Sequence, residues 1–194
     1  VGKPLKSILH MNPIPIWLGT GMESTVRMTA EIADGWLPLG LVPETCKIYE
    51  PWIEEGLKKA DKNRSQFEIQ GGAAVIVTDD VKTSMNRLKP NIALYVGGMG
   101  ARGKNFYNDI CKSYGYEKEA VEIQDLYLDG KKQEAAAKVP SDWLLNSHLV
   151  GPKGFIKERL SAFKEAGVTV ISVNPIGPDA VQQVELLRTL MDEI

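Results

Sequence analysis

Along the 194-residue chain, short apolar runs closed by glycine or proline alternate with longer stretches that carry an apolar residue every three or four positions. The first pattern predicts buried strands and the second amphipathic helices. Ile14–Leu18 is a run of the first kind, bounded by prolines and by Gly19-Thr20-Gly21. Val26, Met28, Ala30, Ile32 and Ala33 then mark a helical face, with Glu23 or Ser24 at the N-cap and Gly35 closing the helix. Trp36–Leu41 follows as a second strand. This is a βαβ unit with almost no spare residues, and its glycine turn lies at the strand end where parallel α/β folds bind ligands.

Pro43 opens another helix, with Glu44 suited to its positive end and Ile48, Trp52, Ile53, Leu57 and Ala60 on its buried face. Phe67–Val77 is the strongest strand signal, and Thr78-Asp79-Asp80 starts a helix through Val81, Met85 and Leu88. The two aspartates read as N-cap and first-turn acid, not as a metal pair. A mostly helical insertion fills about 90–147, with Phe106, Tyr107, Ile110, Cys111 and Tyr114 at helical spacing. The βα rhythm then returns: a helix on Phe155, Ile156, Leu160 and Phe163, a Gly167 cap, a strand over Val168–Val173 and a last helix opened by Asp179. The expectation is a single partial domain over 1–194 with about four parallel strands. That is half of an eight-stranded (β/α) barrel, for which about 250 residues are typical. An open four-stranded sheet is the other solution, and its edges would need covering.

Composition narrows the partners. A 43% apolar content supports one sizeable core, while 25% charged residues and a net charge of −2 carry no basic stripe for nucleic acid. No apolar run is long enough to span a membrane, and the first residues lack the apolar core of a secretory signal. Cys46 and Cys111 have neither metal nor disulfide spacing and are expected as reduced thiols in a cytoplasmic protein. The chain opens at Val1 without a methionine, in a polar stretch that reads as a linker. A missing upstream part would explain this, and initiator processing is the alternative.

Among candidate residues, Gly19, Thr20 and Gly21 precede a helix, where backbone N–H groups attract phosphate and glycine permits close approach. Thr20 adds a hydroxyl. The same glycines also make a tight turn with no ligand. Gly98-Met99-Gly100-Ala101-Arg102-Gly103-Lys104-Asn105 comes within one residue of a phosphate-binding P-loop, with Ile92–Val96 as its strand. Asn105 stands where the Mg²⁺-ligating hydroxyl belongs, and the acidic partner segment comes before the loop, so a nucleotide triphosphatase is not expected. His10 and His148 lack a carboxylate or cysteine at catalytic spacing and are read as surface or capping residues. Asp34 is read as fixing its turn, Trp17 and Trp36 as packing, and Asn174 as a residue at the ligand-binding end of the last strand.

Three stretches carry a family resemblance: Pro15–Gly21 with Thr29–Pro38; Leu94–Asp109 with Glu122–Leu128; and Leu149–Pro152 with the following helix and Ala166–Thr169. Together they resemble the C-terminal half of the luciferase-like monooxygenase superfamily, specifically its deazaflavin (coenzyme F-420)-dependent oxidoreductases. The resemblance implies a TIM-type barrel entered just before its fifth strand, and hydride transfer on an organic small-molecule substrate. It implies coenzyme F-420, with FMN as the alternative, bound by Gly19, Thr20 and Gly21. Gly98, Met99 and Gly100 are expected nearby, lining the barrel mouth, with Arg102 or Lys104 facing an anionic tail. One departure stands out. Where relatives commonly carry Gly-Pro-Lys, this chain has Met22-Glu23-Ser24, which weakens attraction for phosphate. No side chain earns a catalytic role. A half-barrel exposes two strand edges, so the second expectation is a non-catalytic homo-oligomer that buries them.

Overall fold

The computed structural model describes residues 14–194; His10 and the linker-like residues 1–6 lie outside them. Five strands run parallel: β1 (Trp17–Leu18), β2 (Gly35–Trp36), β3 (Glu68–Val77), β4 (Leu149–Gly151) and β5 (Val170–Pro175). β1 pairs β2, β2 pairs the start of β3 at Glu68 and Ile69, and β4 pairs its end at Val75 to Val77. Val75 is in register with both Leu149 and Pro175, so β4 and β5 occupy opposite edges of β3. Among the described residues β1 and β5 each keep one unpaired edge, and the sheet is an open arc.

β3 matches the expected strand to within one residue, whereas its neighbours do not. The strand expected over Trp36–Leu41 ends at Trp36, because Pro38 removes a backbone donor and Gly40 turns the chain with φ 55°. β4 is a fifth strand absent from the expected four. It has only three residues, all buried, and exists through its ladder to β3. The last strand is shifted by two residues at each end, to Val170–Pro175.

Helix α1 (Glu23–Ile32) lies directly on α2 (Glu50–Lys59), where Gly56 lets the two backbones approach closely. A short 3₁₀ helix over Pro43–Ile48 precedes α2. α3 (Val81–Ala93) starts at Asp80, whose side chain accepts from the Thr83 N–H as an N-cap should. It runs past Pro90 into a π-helical turn, Leu94–Gly98. The remaining insertion is helical: α4 (Phe106–Ser113), α5 (Glu117–Leu128), α6 (Lys132–Ala137) and α7 (Ser141–Ser147). Ile92–Val96 is therefore helical, and the strand required by a P-loop is missing. α8 (Lys153–Glu165) and α9 (Ala180–Asp192) complete the chain.

Side-chain alternation gives the arc two faces. Ala73 and Val75 of β3, with Ile171 and Val173 of β5, pack outward onto Ile156, Leu160 and Phe163 of α8 and Leu187 and Leu190 of α9. Gln70, Gly72 and Ala74 point the other way and are only partly covered, and Val170, Ser172 and Asn174 are exposed. No helix among the described residues is long and apolar enough to cross a membrane.

Candidate functional site

The expected glycine turn sits at the carboxyl end of β1, but packing claims much of it. A Cβ at Gly21 would stand 2.9 Å from both Ile110 Cδ1 and Phe106 Cζ, so this glycine is needed where α4 crosses the turn. The Thr20 carbonyl accepts from Trp36 Nε1 at 2.9 Å. Its hydroxyl meets Thr29 Oγ1 at 2.8 Å, and Thr29 spends its own proton on the Thr25 carbonyl. Thr20 is thus the donor of that pair, and its proton is committed inside the protein. Gly19 is exposed. It lies beside the first-turn N–H groups of α1, which have no intrahelical partner. Asp34 behaves as expected: its Oδ2 accepts from the Ile16 N–H at 2.7 Å and fixes the β1–β2 approach. Trp36 is buried against Tyr49, and Trp17 lies over Gly35, where a Cβ would come within 2.5 Å of its ring.

The second glycine cluster falls on the same side of the molecule. Phe106 touches Gly21, and the preceding Asn105 donates from Nδ2 to the carbonyls of Tyr95 (3.0 Å) and Val96 (2.9 Å) while capping α4 through Oδ1. Gly97 and Gly98 are small because Tyr127 of α5 lies on them: a Cβ at either would stand 2.5 Å from that side chain. Gly100 is pressed against the Lys104 carbonyl, and Met99 is exposed. Arg102 is held by acids of α5. Its guanidinium reaches Asp125 at 2.6 Å and Asp129 at 3.7 Å, so its charge is already balanced by α5.

The open space lies along the inner face of β3. One chamber of about 220 Å³ is lined by Leu39, Gly72, Tyr95, Tyr107, Trp143 and His148, among others. A wider one of about 560 Å³ shares Gly72, Asn91, Ile92 and His148 and adds Arg87, Ser172 and Asn174. A Cβ at Gly72 would meet nothing within 4 Å. Ile110 lines the smaller chamber and also backs Gly21, so the glycine turn and the cleft share a wall.

His148 is the residue that sequence reasoning undervalued. It is the C-cap of α7, as a capping reading required, but it is partly buried and its ring turns to β3. The Ala74 N–H donates to its Nδ1 at 3.4 Å. Burial pushes its pKa down to about 4, with the Ser147 carbonyl pulling weakly the other way, so the ring is neutral at pH 7. Its place depends on β4 pairing with β3, which no local pattern announces. Asn105 and Asn108 were also missed. Asn108 is buried and donates to the Val96 and Ala120 carbonyls, leaving Oδ1 without a partner. Asn105 had a visible signal, an N-cap residue directly before an amphipathic run. Cys46 and Cys111 are both buried, and burial pushes each thiol up to about 12. Among the described residues no cluster of metal-ligating side chains occurs.

Solved structures place this arc. The coenzyme F-420-dependent tetrahydromethanopterin reductase of Methanopyrus kandleri superposes with a TM-score of 0.70 at 23% identity, over 90% of this chain and 49% of that one. An F-420-dependent secondary alcohol dehydrogenase, solved with an F-420–acetone adduct, gives 0.63 at 15% identity, over 93% and 48%. At that identity the likeness shows the fold: one half of a parallel (β/α)₈ barrel. The luciferase-like monooxygenase family model matches residues 3–170, and the chain belongs to that family. A Mycobacterium tuberculosis protein whose name describes a coenzyme F-420-dependent oxidoreductase is 35% identical over 191 residues, covering 96% of this chain and 55% of its own length. The 5,10-methylenetetrahydromethanopterin reductase of Archaeoglobus fulgidus is 25% identical over 90% of this chain and 52% of its own. The chain spans about half the length of these curated relatives.

Proposed function

We propose that the chain forms the carboxyl-terminal part of a coenzyme F-420-dependent oxidoreductase, in which the cleft along β3 faces the coenzyme and an organic substrate. The observation that carries this reading is the cleft's inner wall, where Gly72 leaves room for a flat ring beside a neutral His148 and the aromatic faces of Tyr95, Tyr107 and Trp143. Such a surface accepts an uncharged planar group and repels none of it. A deazaflavin, when bound, supplies hydride chemistry. The chain's own residues hold and orient: the apolar walls exclude water, Gly19 and the open first turn of α1 face the phosphate end, and the Thr20–Thr29 bond keeps that turn in shape. Glu23 and the engaged Arg102 leave that phosphate end weakly cationic, so affinity rests more on the ring than on the tail. FMN, which shares the tricyclic ring, is the second candidate.

Titration of the protein with coenzyme F-420 and, separately, FMN tests this, with coenzyme fluorescence as the readout. Saturable quenching by F-420, stronger than by FMN, is expected. Absence of binding to either sinks the oxidoreductase reading. The open edges of β1 and β5 support a second reading, in which a further copy of the chain covers them. Sedimentation giving a stable, non-aggregating monomer would count against that reading.

A further inference from the structure

Among the polar side chains that line the cleft, His148 is the one whose chemistry the strand beside it sets. β2 pairs with β3 only as far as Ile69 and β4 begins at Val75, so the Ala74 N–H lies on a stretch of edge without a strand partner. His148, immediately before β4, takes that N–H on Nδ1. A ring nitrogen that accepts carries no proton, so in the neutral imidazole the proton resides on Nε2. Among the described residues no carboxylate lines either chamber; the titratable groups beside His148 are Arg87, Tyr95 and Tyr107. Arg87 lines only the wider chamber. Apart from the neutral Asn91 amide, the smaller chamber around His148 is apolar and aromatic, with Leu39, Ile92, Val96 and Trp143 on its walls. A carboxylate bound there would lose its hydration without gaining a cation, whereas a carbonyl oxygen needs only one donor.

The geometry points to His148 as a specificity-determining hydrogen-bond donor, whose Nε2–H receives the carbonyl oxygen of an uncharged, flat organic substrate in the chamber beside β3. This role rests on the oxidoreductase reading for the word substrate, but the binding itself does not need the coenzyme. Relatives' names do not assign it, and the residue lies in the half of the barrel for which no catalytic side chain was expected.

The test uses acetophenone as probe and α-methylstyrene, its hydrocarbon counterpart, as control. Binding is followed by calorimetry in the wild-type protein and in His148→Phe and His148→Gln, with circular dichroism confirming that each variant folds. Loss of one neutral hydrogen bond predicts about three- to tenfold weaker acetophenone binding in His148→Phe. α-Methylstyrene affinity stays within about twofold by the same reasoning, and His148→Gln, which keeps an N–H donor, retains most of the ketone preference. Equal losses for both probes, no acetophenone binding to the wild type, or a long-range proton–nitrogen NMR spectrum showing the proton on Nδ1 would each overturn the assignment. A parallel coenzyme titration separates the two claims. Ketone discrimination without F-420 binding upholds His148 and sinks the oxidoreductase; F-420 binding without discrimination does the reverse.

Discussion

Replacing Gly56 by alanine sets helix propensity against packing, and the structure says which wins. Gly56 lies inside α2 on the face that meets α1. In an open helix the substitution would stabilise by about 1 kcal/mol. Here the new Cβ would stand 2.7 Å from Ala30 Cβ and closer still to the Arg27 carbonyl oxygen. Ordinary contact begins near 3.4 Å, so the helices must separate by roughly 0.7 Å or more. Neither obstacle can rotate away, because one is backbone and the other is itself a Cβ. Forced separation of packed elements costs about 1–3 kcal/mol, and separation across two ten-residue helices belongs at or above the upper end. The net expectation is a loss of about 2 kcal/mol.

Urea unfolding followed by tryptophan fluorescence reads this, because Trp36 and Trp52 both pack near α2. The internal control is Gly154→Ala in α8, where a Cβ meets nothing within 4 Å and φ is not positive. That variant should gain up to about 1 kcal/mol on propensity alone. If Gly56→Ala matched or exceeded the wild type in stability, the close α1–α2 approach would be wrong.

Other outcomes follow from single contacts. Arg159 is buried, grips Glu44 through two bonds of 2.5 and 3.0 Å, and donates to the Asn146 carbonyl at 2.6 Å; Arg159→Ala should cost about 2 kcal/mol, less than a fully buried pair because Glu44 is half-exposed. Burial alone would raise Glu44, but the Arg159 hydrogen bond and charge prevail and hold it below its usual 4.5. Stability from that pair is therefore complete above pH 4.5 and lost as the pH falls through the lowered folded value, and the acid limb of a pH–stability curve should flatten in Arg159→Ala. Thr20→Val should lower stability by about 1 kcal/mol and leave F-420 affinity within about twofold; a tenfold loss of affinity would show that the hydroxyl turns outward to the coenzyme. Both thiols should resist iodoacetamide at pH 8 in the native protein and react at once in urea, since burial keeps Cys46 and Cys111 protonated and covered.

What the sequence revealed depended on how local each signal was. β3 was legible to within one residue because its ten positions alternate between two differently buried faces and are followed by a capping aspartate. β4 was invisible as a strand: Leu149-Val150-Gly151 has neither the length nor the β-branched content of one, and only the ladder at Val75 to Val77 makes it so. The overlong β2 has the opposite cause, an apolar run whose Pro38 and Gly40 should have been weighed against its hydrophobicity. His148 falls with β4, since a histidine cannot be placed beside Ala74 before its strand is known.

Glycine is ambiguous for a physical reason. A missing side chain serves equally to admit a ligand and to admit a neighbouring element, and the sequence pattern is the same for both. In this fold Gly21, Gly97 and Gly98 each admit a neighbouring side chain: Phe106 and Ile110 for the first, Tyr127 for the other two. Side chains of α4 and α5 lie directly on these glycines, and that packing needs small residues with or without a ligand. Gly72 differs in kind. It is mid-strand, costs the ladder a side chain to pack, has φ in the ordinary region, and faces space that no described residue fills. A position that forgoes packing without relieving a clash is the better marker of a ligand. It was read in the sequence only as part of a strand. The inner wall of β3, more than the phosphate-like glycine turns, is therefore where substitutions should separate binding from folding. Gly72→Val should leave the urea midpoint nearly unchanged while abolishing ring binding, and loss of both together would return Gly72 to a purely structural role.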